Sequence, residues 1–257
     1  MIELQHIYKS FNLGTINETV LYTDFHFQVD TGDFVSIVGS NGSGKTTLLN
    51  LIAGTLAPDS GRILLDGTDI TSQRQFVRAK RIGRVFQDPS RGVAGNMTIA
   101  ENMSLADNKG KPYGLSKGLS KKRIGYYREL LAPIGLGLEN KMDVKIESLS
   151  GGQRQAVSLI MATMTPVDIL ILDEHTAALD PKTADIIMAL TDKVIREKQL
   201  TAVMVTHNLR FAVEYGSRLV MMHEGHCVLD LKGADKTAAK VDDLLKIFNE
   251  ISIEAGN

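Results

Sequence analysis

The stretch Gly39-Ser40-Asn41-Gly42-Ser43-Gly44-Lys45-Thr46, continued by Thr47, has the form G-x-x-x-x-G-K-[ST] and decides how the rest of the chain is read. Glycines at this spacing let backbone N–H groups close on phosphate oxygens. Lys45 then reaches the β and γ oxygens of a nucleotide, and Thr46 offers a hydroxyl to a magnesium ion. Upstream, 34–38 is an apolar run of β type; downstream, 46–53 holds no breaker before Gly54. A helix is therefore expected after the loop, with its N-terminus facing phosphate.

Three more short apolar runs each deliver polar residues. They are 82–86 before Gln87, 169–172 before Asp173-Glu174, and 201–206 before His207. Near-continuous apolar strands are those buried on both faces of a parallel sheet, and ligands gather beyond the carboxyl ends of such strands. The four motifs are expected to converge on one edge.

A second signature, Leu149-Ser150-Gly151-Gly152-Gln153, stands 20 positions before Asp173. Its serine and glycines open a predicted helix, where free N–H groups and the positive dipole end face an anion. With both signatures in this order, the chain resembles the nucleotide-binding subunits of ATP-binding cassette (ABC) transporters over residues 1–230. The resemblance implies an α/β fold: a P-loop NTPase core with a mostly parallel sheet, an N-terminal antiparallel β part and an inserted α-helical subdomain. It implies one ABC ATPase domain over 1–257. Within it, 1–90 and 160–230 form the β core, 91–159 the helical signature subdomain, and 231–257 a C-terminal amphipathic helix.

The resemblance also implies roles. Gly39 to Thr47 would bind ATP, and Phe11 falls where the family stacks an aromatic on adenine, with Tyr8 or Tyr22 as substitutes. Gln87 matches the Q-loop glutamine and Asp173 the Walker B carboxylate; both, with Thr46, would hold Mg²⁺. Glu174 would be the general base, His207 the residue that contacts the γ phosphate and orients water, and Asp180 part of the D-loop. Ser150, Gly151, Gly152 and Gln153 would serve the nucleotide of a second subunit. A head-to-tail homodimer sandwiching two MgATP is thus implied, together with a transmembrane permease and, indirectly, an extracytoplasmic substrate-binding protein. Import of a small solute such as an amino acid is the expected task. A soluble single cassette for metal-cluster assembly and an exporter-type cassette stay open.

Composition narrows the setting. With 29 basic and 30 acidic residues, no global field favours nucleic acid. The lone Cys227 excludes an internal disulfide and fits a reducing compartment. No signal peptide is read at the N-terminus, and no run of about 18 apolar residues spans a bilayer. The expected location is cytoplasmic, peripheral on the inner face of the cell membrane.

The middle of the chain changes character. Thr98-Ile99-Ala100-Glu101 is a capping-box sequence that starts a helix. A Gly-, Lys- and Ser-rich surface loop is expected over 108–122, with helical spacing over 121–131 and 152–164. Ala156, Val157, Ile160, Met161 and Met164 form the apolar face of the second segment. Near the C-terminus Val241, Leu244, Leu245, Phe248 and Ile251 mark an amphipathic helix packed on the sheet domain. His223-Glu224-Gly225-His226-Cys227 reads as a hairpin turn rather than a zinc site, for it names no fourth ligand. Three departures from the family pattern stand out: Val157-Ser158-Leu159 lacks a common arginine, His175 replaces a usual proline, and Gly14 to Thr19 lengthens the loop beyond Phe11. His175 is expected to be a surface substitution.

Overall fold

The computed structural model describes residues 1–112 and 118–254, the side chains of 251–254 excepted. The chain divides into two compact units, Met1–Arg78 with Gln199–Asn257, and Ala79–Lys198. In chain order the first unit opens with β1 (Ile2–Phe11), β2 (Thr19–Val29), β3 (Phe34–Gly39) and α1 (Lys45–Ala53). These are followed by β4 (Ser60–Leu65), β5 (Thr68–Asp69) and α2 (Gln75–Arg78). The second unit carries β6 (Ile82–Val85), α3 (Ile99–Asp107), α4 (Ile124–Leu131), α5 (Gly151–Thr163), β7 (Ile169–Asp173) and α6 (Pro181–Lys198). The chain then returns to the first unit with β8 (Thr201–Val205), α7 (Leu209–Glu214), β9 (Arg218–His223), β10 (His226–Lys232), α8 (Gly233–Ala238) and α9 (Val241–Glu254).

In the first unit β3 pairs in parallel with β8 on one side and β9 on the other, and β10 folds back antiparallel on β9. All residues of β3 and β8 are buried, as apolar runs covered on both faces should be. β2, β1, β4 and β5 form a separate antiparallel sheet. Two hairpins in this unit turn through adjacent positive-φ residues, Asp66-Gly67 (50° and 74°) and Glu224-Gly225 (44° and 78°). Such turns match the right-handed twist of the strands they join, so the hairpin expected around Glu224-Gly225 is present. Helices α7 and α9 cover the sheet. Leu244 is buried in a cluster with Val38, Ala212, Leu219 and Met221, and Ile247 and Phe248 pack against it. The expected stripe is thus displaced by part of a turn: Leu245 is exposed and Ile247 takes its place. Ile251 lies outside the described side chains.

In the second unit β6 and β7 pair in parallel, with β7 buried throughout. Thr98 caps α3 with the full capping box, its side chain accepting from the Glu101 N–H while Glu101 accepts from the Thr98 N–H. A cap of this kind contributes about 1 kcal/mol. The face of α5 read from the sequence is buried at Ala156, Val157, Ile160 and Met164, and Met161 is half-buried. Of the loop expected over 108–122, residues 113–117 lie outside the described residues. No helix among the described residues is long and apolar enough to cross a membrane.

Candidate active site

The loop 40–44 leaves the buried end of β3 and enters α1 through Gly44, whose φ is 101°. Two of its glycines are demanded by contact. A Cβ on Gly39 would meet the Met222 carbonyl oxygen at 2.1 Å, and one on Gly44 would meet the Tyr22 hydroxyl at 2.6 Å. The first turn of α1 contains no acidic residue, and its cap is a glycine without a side-chain hydrogen bond. The helix end therefore keeps its positive dipole for an anion. Lys45 is buried, and its Nζ donates to the carbonyls of Gly39 (2.9 Å) and Ser40 (2.7 Å). A cradle of left-handed glycines closed by a buried ammonium fits a polyphosphate.

Contacts from outside the motif hold this loop. The Tyr22 hydroxyl donates to the Gly44 carbonyl (2.8 Å), and its ring stacks on Phe25 with centroids 4.3 Å apart. Burial pushes the Tyr22 phenol well above its ordinary range, so it stays a neutral donor. On the other flank the Gly225 N–H donates to the Ser43 carbonyl (3.2 Å), and the His223 ring lies 3.2 Å from the Ser40 hydroxyl through Nδ1. The substitute role considered for Tyr22 is thereby corrected: a fully buried ring cannot receive adenine. Phe11 (36% exposed) and Tyr8 (41%) remain accessible, and Lys9 Nζ stands 5.6 Å from the Phe11 ring centre. Thr46 is exposed on the first turn of α1 and Thr47 half-buried. His207, exposed, lies two residues beyond the end of β8. The next residue, Asn208, caps α7 by accepting from the Phe211 N–H (3.2 Å).

The second unit places Gln87, exposed, just beyond β6, and Asp173 at the buried end of β7. Asp173 Oδ2 accepts from Arg84 Nη2 at 2.7 Å, and the Arg84 guanidinium lies 4.7 Å from the Phe86 ring centre. Arg84 was not singled out in the sequence. Its position on β6 becomes informative only with the parallel register that sets it against β7. Glu174 takes φ 46°, a left-handed conformation uncommon for this residue, and its carbonyl closes a turn on the Ala177 N–H (2.9 Å).

The surface expectation for His175 is wrong. The residue is 2% exposed, and its Nε2 lies 3.1 Å from Thr191 Oγ1 on α6. The Thr191 hydroxyl already donates to the Ile187 carbonyl (2.7 Å), so it accepts from the imidazole and Nε2 carries the proton. Asp180 accepts from the Thr183 N–H (3.1 Å) at the start of α6.

At the head of α5, Ser150 and Gln153 form a capping box. Gly152 is fixed by packing, since a Cβ there would meet the Thr183 methyl at 2.2 Å. The box engages the N–H groups of Ser150 and Gln153. It leaves the Gly151 and Gly152 amides at the positive end of the helix.

A family model described as ABC transporter matches residues 22–177. The chain is 46% identical to a tyrosine transport ATP-binding protein of Clostridioides difficile, with 96% of this chain and 98% of that protein covered. It is 33% identical to the energy-coupling factor transporter ATP-binding protein EcfA2 of Clostridium tetani, covering 88% and 76%. Among solved structures it is similar to the dimeric post-hydrolysis state of the cassette MJ0796 bound to ADP and Pi. That match has a TM-score of 0.76 and 30% identity, covering 90% of this chain and 98% of that one. The ADP conformation of the cassette MJ1267 gives a TM-score of 0.79 at 25% identity, with 100% and 99% covered.

Proposed function

The chain belongs to the ABC transporter family and is an ATP-binding, ATP-hydrolysing transporter subunit, and from that premise we propose that it energises uptake of tyrosine or a closely similar amino acid. The observation that carries the substrate class is the 46% identity to the tyrosine transport subunit, which runs over nearly the full length of both chains. A multi-span permease and an extracytoplasmic binding protein complete the system, and this chain sits on the inner face of the membrane. Disrupting its gene and measuring uptake of labelled tyrosine and other amino acids tests the reading. Tyrosine uptake that is unchanged while uptake of a different solute falls would reject it.

The division of labour follows from the chemistry of phosphoryl transfer, which needs charge neutralisation and a positioned water more than covalent catalysis. Lys45 and the amides of 39–46 neutralise the β and γ phosphates, Phe11 stacks on adenine, and Glu174 takes the proton from the attacking water. His207 orients that water, and Gln87 passes the state of the site to the permease. The hydroxyl of Thr46, the carboxylate of Asp173 and the amide oxygen of Gln87 are hard oxygen donors of the kind Mg²⁺ takes. When bound, the ion supplies further neutralisation of phosphate charge. Arg84 orients the Asp173 carboxylate through a charge-assisted hydrogen bond.

One chain carries a single loop of the 39–46 type and a single 149–153 signature. A complete site therefore takes its Gly151 and Gly152 amides from a second copy arranged head to tail. Domain boundaries follow the same reading, with the β core in 1–90 and 160–230, the signature subdomain in 91–159, and the C-terminal helix beyond 231.

A further inference from the structure

Away from the nucleotide loop, two facing β-bulges interrupt the ladder between β1 and β2. The pairing slips by one residue between Leu4↔Phe27 and Ile7↔Phe25, where β1 carries an extra residue. It slips back between Ile7↔Phe25 and Lys9↔Tyr22, where the extra residue is on β2. The two slips cancel as far as Lys9↔Tyr22, and a third, with the extra residue again on β2, follows before Ser10↔Val20. Within the two facing bulges His6 and Asp24 both take φ 51°. β4 accommodates the bulge with Gly61, where a Cβ would lie 2.3 Å from the His6 carbonyl oxygen.

Bulges re-aim side chains, and non-glycine residues in left-handed conformations concentrate where function holds them. Here they gather three ligand-type side chains at one exposed spot. Asp24 Oδ1 lies 2.7 Å from His6 Nδ1 and 3.3 Å from His26 Nε2, and the two imidazole rings meet edge to face at 4.3 Å. One nitrogen of each ring and one carboxylate oxygen converge within 4.8 Å.

We propose that His6, Asp24 and His26 form a surface site for a divalent transition-metal ion, of which Zn²⁺ is the probe of choice, cross-linking β1 to β2. Two imidazole nitrogens and one carboxylate oxygen are a donor set for Zn²⁺, Ni²⁺ or Cu²⁺ rather than for Mg²⁺ or Ca²⁺, with water completing the shell. The site uses none of the residues that bind nucleotide, so it stands or falls apart from the reading above. It also differs from the His223 to Cys227 segment, whose first histidine is engaged with Ser40.

The test is calorimetric titration of Zn²⁺ into the untagged, nucleotide-free protein in excess Mg²⁺, which occupies hard-oxygen sites. One equivalent binding in the micromolar range is expected. His6→Asn, Asp24→Asn and His26→Gln should each weaken it by about tenfold or more, while His226→Gln leaves it unchanged. Asparagine tolerates the left-handed backbone at 6 and 24, so the first two variants keep the bulges. Anomalous diffraction at the zinc edge from crystals of the unmutated protein supplies a check that needs no variant, with the peak expected between β1 and β2. A triple variant with the wild-type isotherm, a peak elsewhere, or a wild-type protein that takes up no Zn²⁺ would overturn the proposal.

Discussion

Glu174 combines a carboxylate with a left-handed backbone directly after a fully buried strand. Glu174→Gln keeps shape and polarity but cannot accept a proton. Turnover should fall by roughly 100-fold or more while MgATP binding survives, and an ATP-bound dimer should persist in size-exclusion chromatography. Hydrolysis at the wild-type rate would place the base elsewhere. His175, next in the chain, illustrates a residue the sequence hides: among acidic and loop-forming neighbours it reads as surface, and only packing against α6 shows its burial. That burial pushes its imidazole down from 6.5 to about 4. Between those values the unfolded chain binds a proton that the folded chain refuses. Stability is therefore whole above about pH 6.5 and drains away as pH falls towards 4. For the nucleotide-free protein the loss should be on the order of 1–3 kcal/mol, read from urea midpoints across that window. His175→Gln should flatten the slope; an unchanged slope would assign the proton to another group.

Elements that end in motifs are the ones a sequence announces, because glycines, caps and apolar runs are local signals. The strand and helix around 39–46, the capping box at Thr98 and the hairpin at Glu224-Gly225 were all legible for that reason. The facing bulges of β1 and β2 were not, since they rest on a histidine and an aspartate in a conformation that glycine usually marks. The α9 stripe was misplaced by part of a turn because Leu245 and Ile247 are equally apolar, and only the partner surface chooses between them. The Glu224-Gly225 turn supports a prediction at this scale. A Cβ on Gly225 would come within 1.8 Å of the Leu21 carbonyl oxygen, while one on Gly67, with a similar φ, meets open space. Gly67→Ala should then cost only the backbone strain, about 1–2 kcal/mol. Gly225→Ala should cost about 1–3 kcal/mol more and also weaken ATP binding, because the same residue donates to Ser43. Equal denaturation midpoints and equal ATP affinities for the two variants would show that the turn does not brace the loop.

For the molecule as a whole, the proposed head-to-tail arrangement of a single loop and a single signature makes activity a property of pairs. ATPase activity per chain should rise with protein concentration and level off as dimers saturate. Ser150→Arg should leave ATP binding by the isolated chain intact yet abolish both the rise and the dimer. Flat specific activity across a dilution series, with monomer alone in sizing data, would indicate a self-contained site. The cargo was not legible in the same way, since this subunit carries the energy source; the proposed class rests on similarity to a tyrosine transport subunit. The nucleotide loop sits in a clasp, with Tyr22 on one flank and the 223–225 turn on the other. A loop held in shape from outside surrenders little chain entropy when its ligand arrives. Backbone amides of 39–45 should therefore exchange slowly with deuterium before any nucleotide is added, and ATP should slow them little further. Tyr22→Phe, which keeps the ring but loses the hydroxyl donor, should release that early protection.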